Sequence, residues 1–164
     1  MRAKKSLAIK MKQAIKLTTD QIRLISLFQK ITKTTARDCL DDEKQDKIIF
    51  VVNEGKMGLA IGKGGSKIKS LQNILKRNVE LVEHFSDPIK FLKNVFNPKF
   101  ISEVKLDTKQ DGSSQATVID EQGKKGLVVG REGRNAERAR LFAKRYFDIS
   151  SVQINSPTVT QLEM

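Results

Sequence analysis

Residues 55–65 read GKMGLAIGKGG, and residues 123–133 read GKKGLVVGREG. The two stretches are identical at six of eleven positions, and three of the other five positions hold similar residues, such as Lys63 against Arg131. The first stretch alone contains five glycines. A repeat of roughly 65 to 70 residues has the size of a small domain rather than of a solenoid unit. The sequence therefore predicts two related domains, each with its own glycine-rich stretch.

Glycine-rich loops before helices often bind phosphate, either of a nucleotide or of a nucleic acid. A Walker A loop needs four residues between its first glycine and the Gly-Lys pair, but Gly58 and Gly62 enclose only three. The dinucleotide pattern GxGxxG would need a third glycine where the chain has Lys67. The spacing thus excludes both nucleotide-binding motifs.

The composition narrows the class of protein further. The 164 residues include one cysteine and one histidine, which excludes an intramolecular disulfide and a cysteine-based zinc cluster. The chain has no continuous apolar run long enough to span a membrane. We expect a cytoplasmic protein that requires no metal and no cofactor and does not associate with membranes.

Positive charge is concentrated in three parts of the chain. The net charge is +12, and the windows 1–16, 62–77 and 130–145 together carry +15, so the remaining residues sum to −3. Clustered positive charge on an otherwise slightly acidic protein indicates a polyanionic partner.

The sequence patterns of the two copies predict the same order of secondary-structure elements: helix, strand, strand, helix, glycine turn, helix, strand. Thr18 and Gln21 form a candidate capping box before the first helix. Asp87 and Pro88 are the candidate N-cap and first residue of the corresponding helix in the second copy. One face of the first helix is predicted to carry Ile22, Ile25, Phe28 and Ile31.

This order, with a G-x-x-G turn between two short helices, resembles the KH domain in its type II topology. The matching residues are 61–65, IGKGG, and 129–133, VGREG. Two copies joined without a linker look like the archaeal NusA-like transcription factors, over about residues 17–155. The resemblance implies an α+β fold of two tandem type II KH domains, each a three-stranded mixed sheet covered by three helices. The implied organisation is a basic N-terminal arm (1–16), a first domain (17–86), a second domain (87–155) and a C-terminal tail (156–164).

The glycines of the turn let a nucleic-acid backbone approach the main chain, and the following helix directs unpaired N–H groups at its phosphates. The predicted RNA-binding residues are Gly62, Lys63, Gly64, Gly65, Lys67 and Lys69 in the first copy, and Gly130, Arg131, Gly133, Arg134 and Arg138 in the second. By resemblance, a groove beside each turn holds about four unpaired nucleotides. Its predicted floor is Leu59, Ile61, Ile68 and Leu81 in the first copy, and Leu127, Val129 and Val152 in the second. The same apolar side chains could instead form the core of each domain. Glu132 places a carboxylate at the second turn, which is expected to weaken binding there unless Arg131 and Arg134 offset its charge.

The resemblance implies a monomeric, non-enzymatic factor that binds single-stranded RNA in transcription elongation or termination, with RNA polymerase or other transcription factors as further partners. The alternative is a ribosome-associated or ribosome-assembly KH protein. An enzyme is disfavoured because no catalytic constellation can be assigned around Cys39 or His84. We expect the acidic residues 41–43 to form only a solvated turn.

Overall fold

The computed structural model describes residues 15–157, which divide into two compact units, 15–85 and 86–157. Apart from its last two residues, the predicted basic arm lies outside the described part of the chain, and so does the predicted tail beyond residue 157. Each unit has its own sheet and its own helices.

The first unit contains three helices and three strands. In chain order these are α1 (Thr19–Thr32), β1 (Ala36–Asp42), β2 (Lys47–Val52), α2 (Met57–Ile61), α3 (Ser66–Leu75) and β3 (Asn78–Glu83). The central strand β2 pairs antiparallel with β1 and parallel with β3, so the sheet is mixed.

The second unit repeats this arrangement. Its elements are α4 (Pro88–Phe96), β4 (Ile101–Thr108), β5 (Ser114–Asp120), α5 (Lys125–Val129), α6 (Arg134–Phe147) and β6 (Ile149–Asn155). Strand β5 pairs antiparallel with β4 and parallel with β6. The predicted α+β fold, with a three-stranded mixed sheet and three helices in each unit, is confirmed.

The predicted helix starts are also confirmed. The Thr18 hydroxyl accepts a hydrogen bond from the backbone N–H of Gln21 at 3.2 Å, and the Gln21 side chain accepts one from the backbone N–H of Thr18 at 2.9 Å. The Gln21 amide also donates to the backbone carbonyl of Cys39 at 2.8 Å, which fastens the start of α1 to β1. In the second unit the Asp87 carboxylate caps α4, and Pro88 is its first residue.

The core of the first unit lies between its sheet and its helices, where the rings of Phe28 and Phe50 stack with their centroids 4.6 Å apart. Ile25 and Ile31 pack partly buried against this core, as predicted. Ile22 does not, because its side chain is 51% exposed. The predicted positions are spaced by three residues, which is less than one full turn of an α-helix. Position 22 therefore lies about 120° around the helix from position 28.

Four aromatic rings form much of the core of the second unit. Phe91 of α4 contacts Phe142, Tyr146 and Phe147 of α6 at centroid distances between 5.6 and 5.9 Å. All four side chains are buried. This cluster holds α6, the helix that follows the second glycine turn, against α4.

The acidic residues at the end of β1 and in the turn before β2 do more than form a solvated turn. Arg77, just before β3, pairs with Asp41 at 2.6 Å and with Asp46 at 3.2 Å. Asp42 accepts a hydrogen bond from the backbone N–H of Gln45 at 3.1 Å. The prediction for residues 41–43 was therefore wrong for Asp41, whose partner lies 36 positions away. Among residues 15–157, no helix has both the length and the apolar character needed to cross a membrane.

Candidate nucleic-acid interface

The glycine turn of the first unit lies between α2 and α3. Gly62 has φ 77° and ψ 167°, Gly64 has φ 62° and Gly65 has φ 74°. Residues other than glycine adopt a positive φ only with strain. The pair of φ and ψ values at Gly62 is almost restricted to glycine. Three positive-φ residues within four positions reverse the chain between two helices, so the backbone itself forms the exposed surface of the turn.

The second turn has nearly the same conformation with a different residue at its tip. Gly130 has φ 81° and Gly133 has φ 73°, close to the values of Gly62 and Gly65. Glu132 occupies the position of Gly64 with φ 57° and ψ 26°. The tip therefore needs a left-handed backbone but accepts a side chain, whereas the first and last positions of the turn are glycine in both copies.

The first glycine of each turn also packs closely against the helix that follows. A Cβ on Gly62 would lie 2.7 Å from Cγ of Lys67, and a Cβ on Gly130 would lie 2.8 Å from Cγ of Asn135. A Cβ on Gly64 would have no neighbour within 4 Å. Gly62 and Gly130 thus have no room for a side chain, whereas Gly64 has.

Helices α3 and α6 both start without a side-chain cap, since their N-caps are Gly65 and Gly133. The backbone N–H groups of a first helical turn have no partner within the helix, and the positive end of the helix dipole lies with them. The first amide of each helix already has an acceptor, since the Ser66 N–H donates to the Lys63 carbonyl and the Arg134 N–H to the Arg131 carbonyl. Each turn therefore lies beside the partial positive charge of a helix start.

The predicted basic residues differ in their surroundings. Lys63, Lys69 and Arg131 are exposed, and they form no ion pair with any other described residue. Arg134 is bound to Glu132 across the second turn, at 3.2 Å between guanidinium and carboxylate. The first turn thus offers an unpaired cation at Lys63, whereas part of the positive charge of the second turn is already neutralised.

Two predicted cations are held within the protein. The Lys67 ammonium donates to the backbone carbonyls of Thr32 at 2.7 Å and Leu59 at 2.9 Å. Arg138 is only 8% exposed, on the buried side of α6. A buried guanidinium offers little to a phosphate in solvent, so Arg138 is not included in the proposed interface.

The predicted groove residues divide between surface and interior. Leu59 and Leu127, at equivalent positions of the repeat, are each 55% exposed. Ile61 is 37% exposed, and Ile68 and Val129 are half-buried. Of the two predicted last-strand residues, Leu81 packs partly buried against the first core, and Val152 is buried. A large apolar side chain that stays exposed beside the turn in both units favours a binding surface over a core role for this pair.

The two remaining reactive side chains, Cys39 and His84, are buried. Burial, followed by the charge of Arg37, lowers the pKa of His84 to about 4. Burial, reinforced by the charges of Asp38 and Asp41, raises the pKa of Cys39 to about 12. Neither group is poised for proton transfer or nucleophilic attack near neutral pH. Within residues 15–157, no cluster of three or more His, Cys, Asp or Glu side chains could hold a metal ion.

The ion pair of Glu132 with Arg134 agrees with the prediction that Arg134 could offset this carboxylate. The sequence did not predict the carbonyl contacts of Lys67, because Thr32 lies 35 positions from Lys67.

Comparison with known proteins identifies the family. A model of the KH domain matches residues 22–109, more than half of the chain. The chain is 36% identical over 140 residues to a probable transcription termination protein NusA of Halobacterium salinarum, covering 85% of this chain and 98% of the relative. It is 34% identical over 142 residues to the corresponding protein of Methanocaldococcus jannaschii, covering 75% of that protein.

Two further matches extend the comparison. The transcription termination/antitermination protein NusA of Bacillus subtilis is 26% identical over 120 residues, which cover 32% of that protein. The crystal structure of APE1850 superposes with a TM-score of 0.74 at 37% identity, covering 85% of this chain and all of that chain. With its repeated turn between paired helices, the chain therefore belongs to the KH-domain family and, within it, to the archaeal NusA-like proteins.

Proposed function

We propose that this protein binds single-stranded RNA through both of its units and acts, without enzymatic activity, in transcription elongation or termination. The observation that carries the RNA-binding step is the repetition of one surface. Each unit has an exposed leucine, Leu59 or Leu127, beside a positive-φ turn and an uncapped helix start. The transcriptional step is supported by the names of the relatives, which are termination proteins.

In the proposed complex the RNA backbone passes over the turn. The positive ends of the helix dipoles at the starts of α3 and α6 attract its phosphates, and Lys63 or Arg131 adds positive charge from the side. Such contacts position the strand without reading its bases. The apolar side chains beside the turn contact the bases of about four unpaired nucleotides per unit, so roughly eight to ten nucleotides fill both units.

The two turns are expected to contribute unequally. Glu132 lies where a phosphate would pass, and its carboxylate already partly neutralises Arg134. Gly64 presents no such charge. We therefore assign the larger share of the affinity to the first unit.

The test variant carries both Lys63→Asp and Gly64→Asp in the first turn. Its affinity for RNA is compared with that of the Glu132→Ala variant. The change at position 64 is expected to preserve the fold, because Glu132 already occupies the same backbone conformation. Lys44→Asp, at the exposed turn at the other end of β2, is the control for Lys63→Asp, since each replaces an exposed lysine by an aspartate. In filter binding with single-stranded RNA at fixed salt, the double substitution is expected to weaken affinity more than Glu132→Ala changes it, and the control to leave it unaltered. An equal or larger effect from the second turn would refute the assignment.

The salt dependence of binding provides a second test. If three or more phosphates are neutralised, the slope of log affinity against log salt is expected to be steeper than about −2, at roughly −0.7 per phosphate. Binding that does not respond to salt would exclude a phosphate-directed interface.

The cellular role requires a different measurement. Crosslinking RNA to the protein in cells and sequencing it should recover nascent transcripts if the protein works in the cytoplasm beside RNA polymerase, the proposed partner. Recovery of ribosomal RNA alone, with cosedimentation of the protein with ribosomal subunits in high salt, would contradict a transcriptional role.

A further inference from the structure

Lys67 occupies an unusual place for a lysine beside an RNA-binding turn. Its ammonium lies between two backbone carbonyls, 2.7 Å from that of Thr32 and 2.9 Å from that of Leu59. Thr32 is the last residue of α1, and Leu59 lies in the single turn of α2. Carbonyls at helix C-termini carry partial negative charge and lack partners within their helix. The ammonium therefore joins the start of α3 to the ends of the two other helices of the unit.

The stem of the same side chain contacts the turn. A Cβ on Gly62 would meet Cγ of Lys67 at 2.7 Å and its Cβ at 3.1 Å, so this stem fills the space beside the first glycine. Lys67 thus touches the turn with its aliphatic part while its charged end holds two helices.

We propose that Lys67 is a positioning residue, which keeps residues 62–65 in the conformation that binds RNA and does not itself neutralise a phosphate. This inference rests on the proposed RNA-binding function. It revises the prediction that Lys67 is itself an RNA-binding residue, because the Lys67 ammonium is already bound to carbonyls.

The second unit provides a natural comparison. Asn135 occupies the equivalent position and also packs against the first glycine of its turn, with Cγ 2.8 Å from where a Cβ of Gly130 would lie. Its amide reaches the carbonyl of Leu127 at 3.4 Å. This single, long bond from a neutral group replaces the two short bonds that Lys67 makes. We infer that the first turn is the more firmly held of the two.

Positioning and phosphate contact predict different binding behaviour. When a binding-competent conformation is populated only fractionally, the observed affinity falls by that fraction, and the number of neutralised phosphates does not change. Loss of a phosphate contact weakens affinity and also reduces the salt slope by roughly 0.7 for single-stranded RNA. The salt slope therefore separates the two roles.

The experiment compares Lys67→Met with Lys69→Met in the full chain. Lys69 lies on the same helix, is exposed and forms no ion pair with the described residues. Its substitution therefore removes the same charge but leaves the bonds of Lys67 to the two carbonyls in place. Fluorescence anisotropy with a labelled single-stranded RNA of roughly ten nucleotides gives the affinity at several KCl concentrations. We expect Lys67→Met to weaken binding about tenfold, as if the competent fraction fell to about a tenth, with an unchanged slope. Lys69→Met is expected to weaken it less and to make the slope shallower.

Hydrogen exchange of residues 62–67 provides a readout independent of RNA. These amides are expected to exchange faster in Lys67→Met than in Lys69→Met, while amides of β2 keep their protection. If Lys67→Met does not fold, Lys67→Asn replaces it, because this residue is present at the same place in the second unit. Its affinity is expected to lie between those of the unsubstituted chain and the tenfold weaker level.

The possible results distinguish failure of the positioning role of Lys67 from failure of the proposed RNA-binding function. If Lys67→Met binds RNA as tightly as the unsubstituted chain, or loses affinity together with salt slope, the positioning role is wrong and the proposed function is unaffected. If the unsubstituted chain binds no RNA at any salt concentration, the proposed function itself is wrong, and the positioning role fails with it.

Discussion

Gly62→Ala is expected to destabilise the first unit far more than Gly64→Ala, although both glycines have positive φ. At Gly64 an alanine meets nothing within 4 Å, so its cost is the left-handed backbone, about 1–2 kcal/mol. The smaller conformational freedom of alanine in the unfolded chain offsets about 0.4–1 kcal/mol of this. The net destabilisation expected for Gly64→Ala is about 1 kcal/mol.

At Gly62 two costs add. The backbone conformation is nearly exclusive to glycine and costs other residues about 1–3 kcal/mol. The new Cβ would also lie 2.7 Å from Cγ of Lys67, which must move and so loses its bonds to Thr32 and Leu59. Each of these partly exposed bonds contributes about 1 kcal/mol. After the same unfolded-state offset, the expected destabilisation is about 3 kcal/mol.

Native-state hydrogen exchange on the full chain measures this difference unit by unit. The buried strand β2 reports on the first unit, and β5 of the second unit is the internal reference. Gly130→Ala is a matched substitution in the second unit, and its effect should be smaller because Asn135 has only a 3.4 Å bond to lose. If Gly64→Ala lowered the stability of the first unit as much as Gly62→Ala, the packing argument would be refuted.

Two further predictions concern the buried titratable groups. The pKa of His84, the only histidine, is lowered from 6.5 to about 4 in the folded protein. The unfolded chain therefore binds a proton more readily, so the contribution of neutral His84 to folding stability is complete above pH 6.5 and is lost as the pH falls towards 4. Between pH 7 and pH 5 the loss should be about 2 kcal/mol, measured by urea unfolding, and His84→Gln should remove most of it; an unchanged pH dependence would contradict this. Cys39, with its pKa raised to about 12, should react with a thiol reagent at pH 8 only after denaturant is added, whereas rapid labelling of the native protein would show that the thiol is accessible.

The features that could be predicted from the sequence are those decided by neighbouring residues. The capping box of Thr18 and Gln21 spans four positions, and the Asp87-Pro88 start spans two, so local chemistry was sufficient. The repeat revealed the second glycine turn, because the two copies align over eleven residues. The element order followed from such local signals, and the fold class from the resemblance of that order and the G-x-x-G turn to type II KH domains.

The features that could not be predicted depend on the tertiary fold. Arg77 lies in the second basic window of the sequence, yet its charge is directed at Asp41 and Asp46, far along the chain. Arg138 lies in the third window but is buried on the inner side of its helix. A charge count along the sequence cannot distinguish a lysine or arginine available to RNA from one already bound within the protein, because that depends on which helix face is covered.

The left-handed backbone at Glu132 has a practical consequence for spectroscopy. This position accepts a side chain at the tip of the turn, and the Glu132 side chain is 70% exposed. The single native cysteine is buried with a raised pKa. Glu132→Cys would therefore create one selectively reactive thiol at the tip of the turn, where an attached fluorophore could report the arrival of an RNA strand without removal of Cys39.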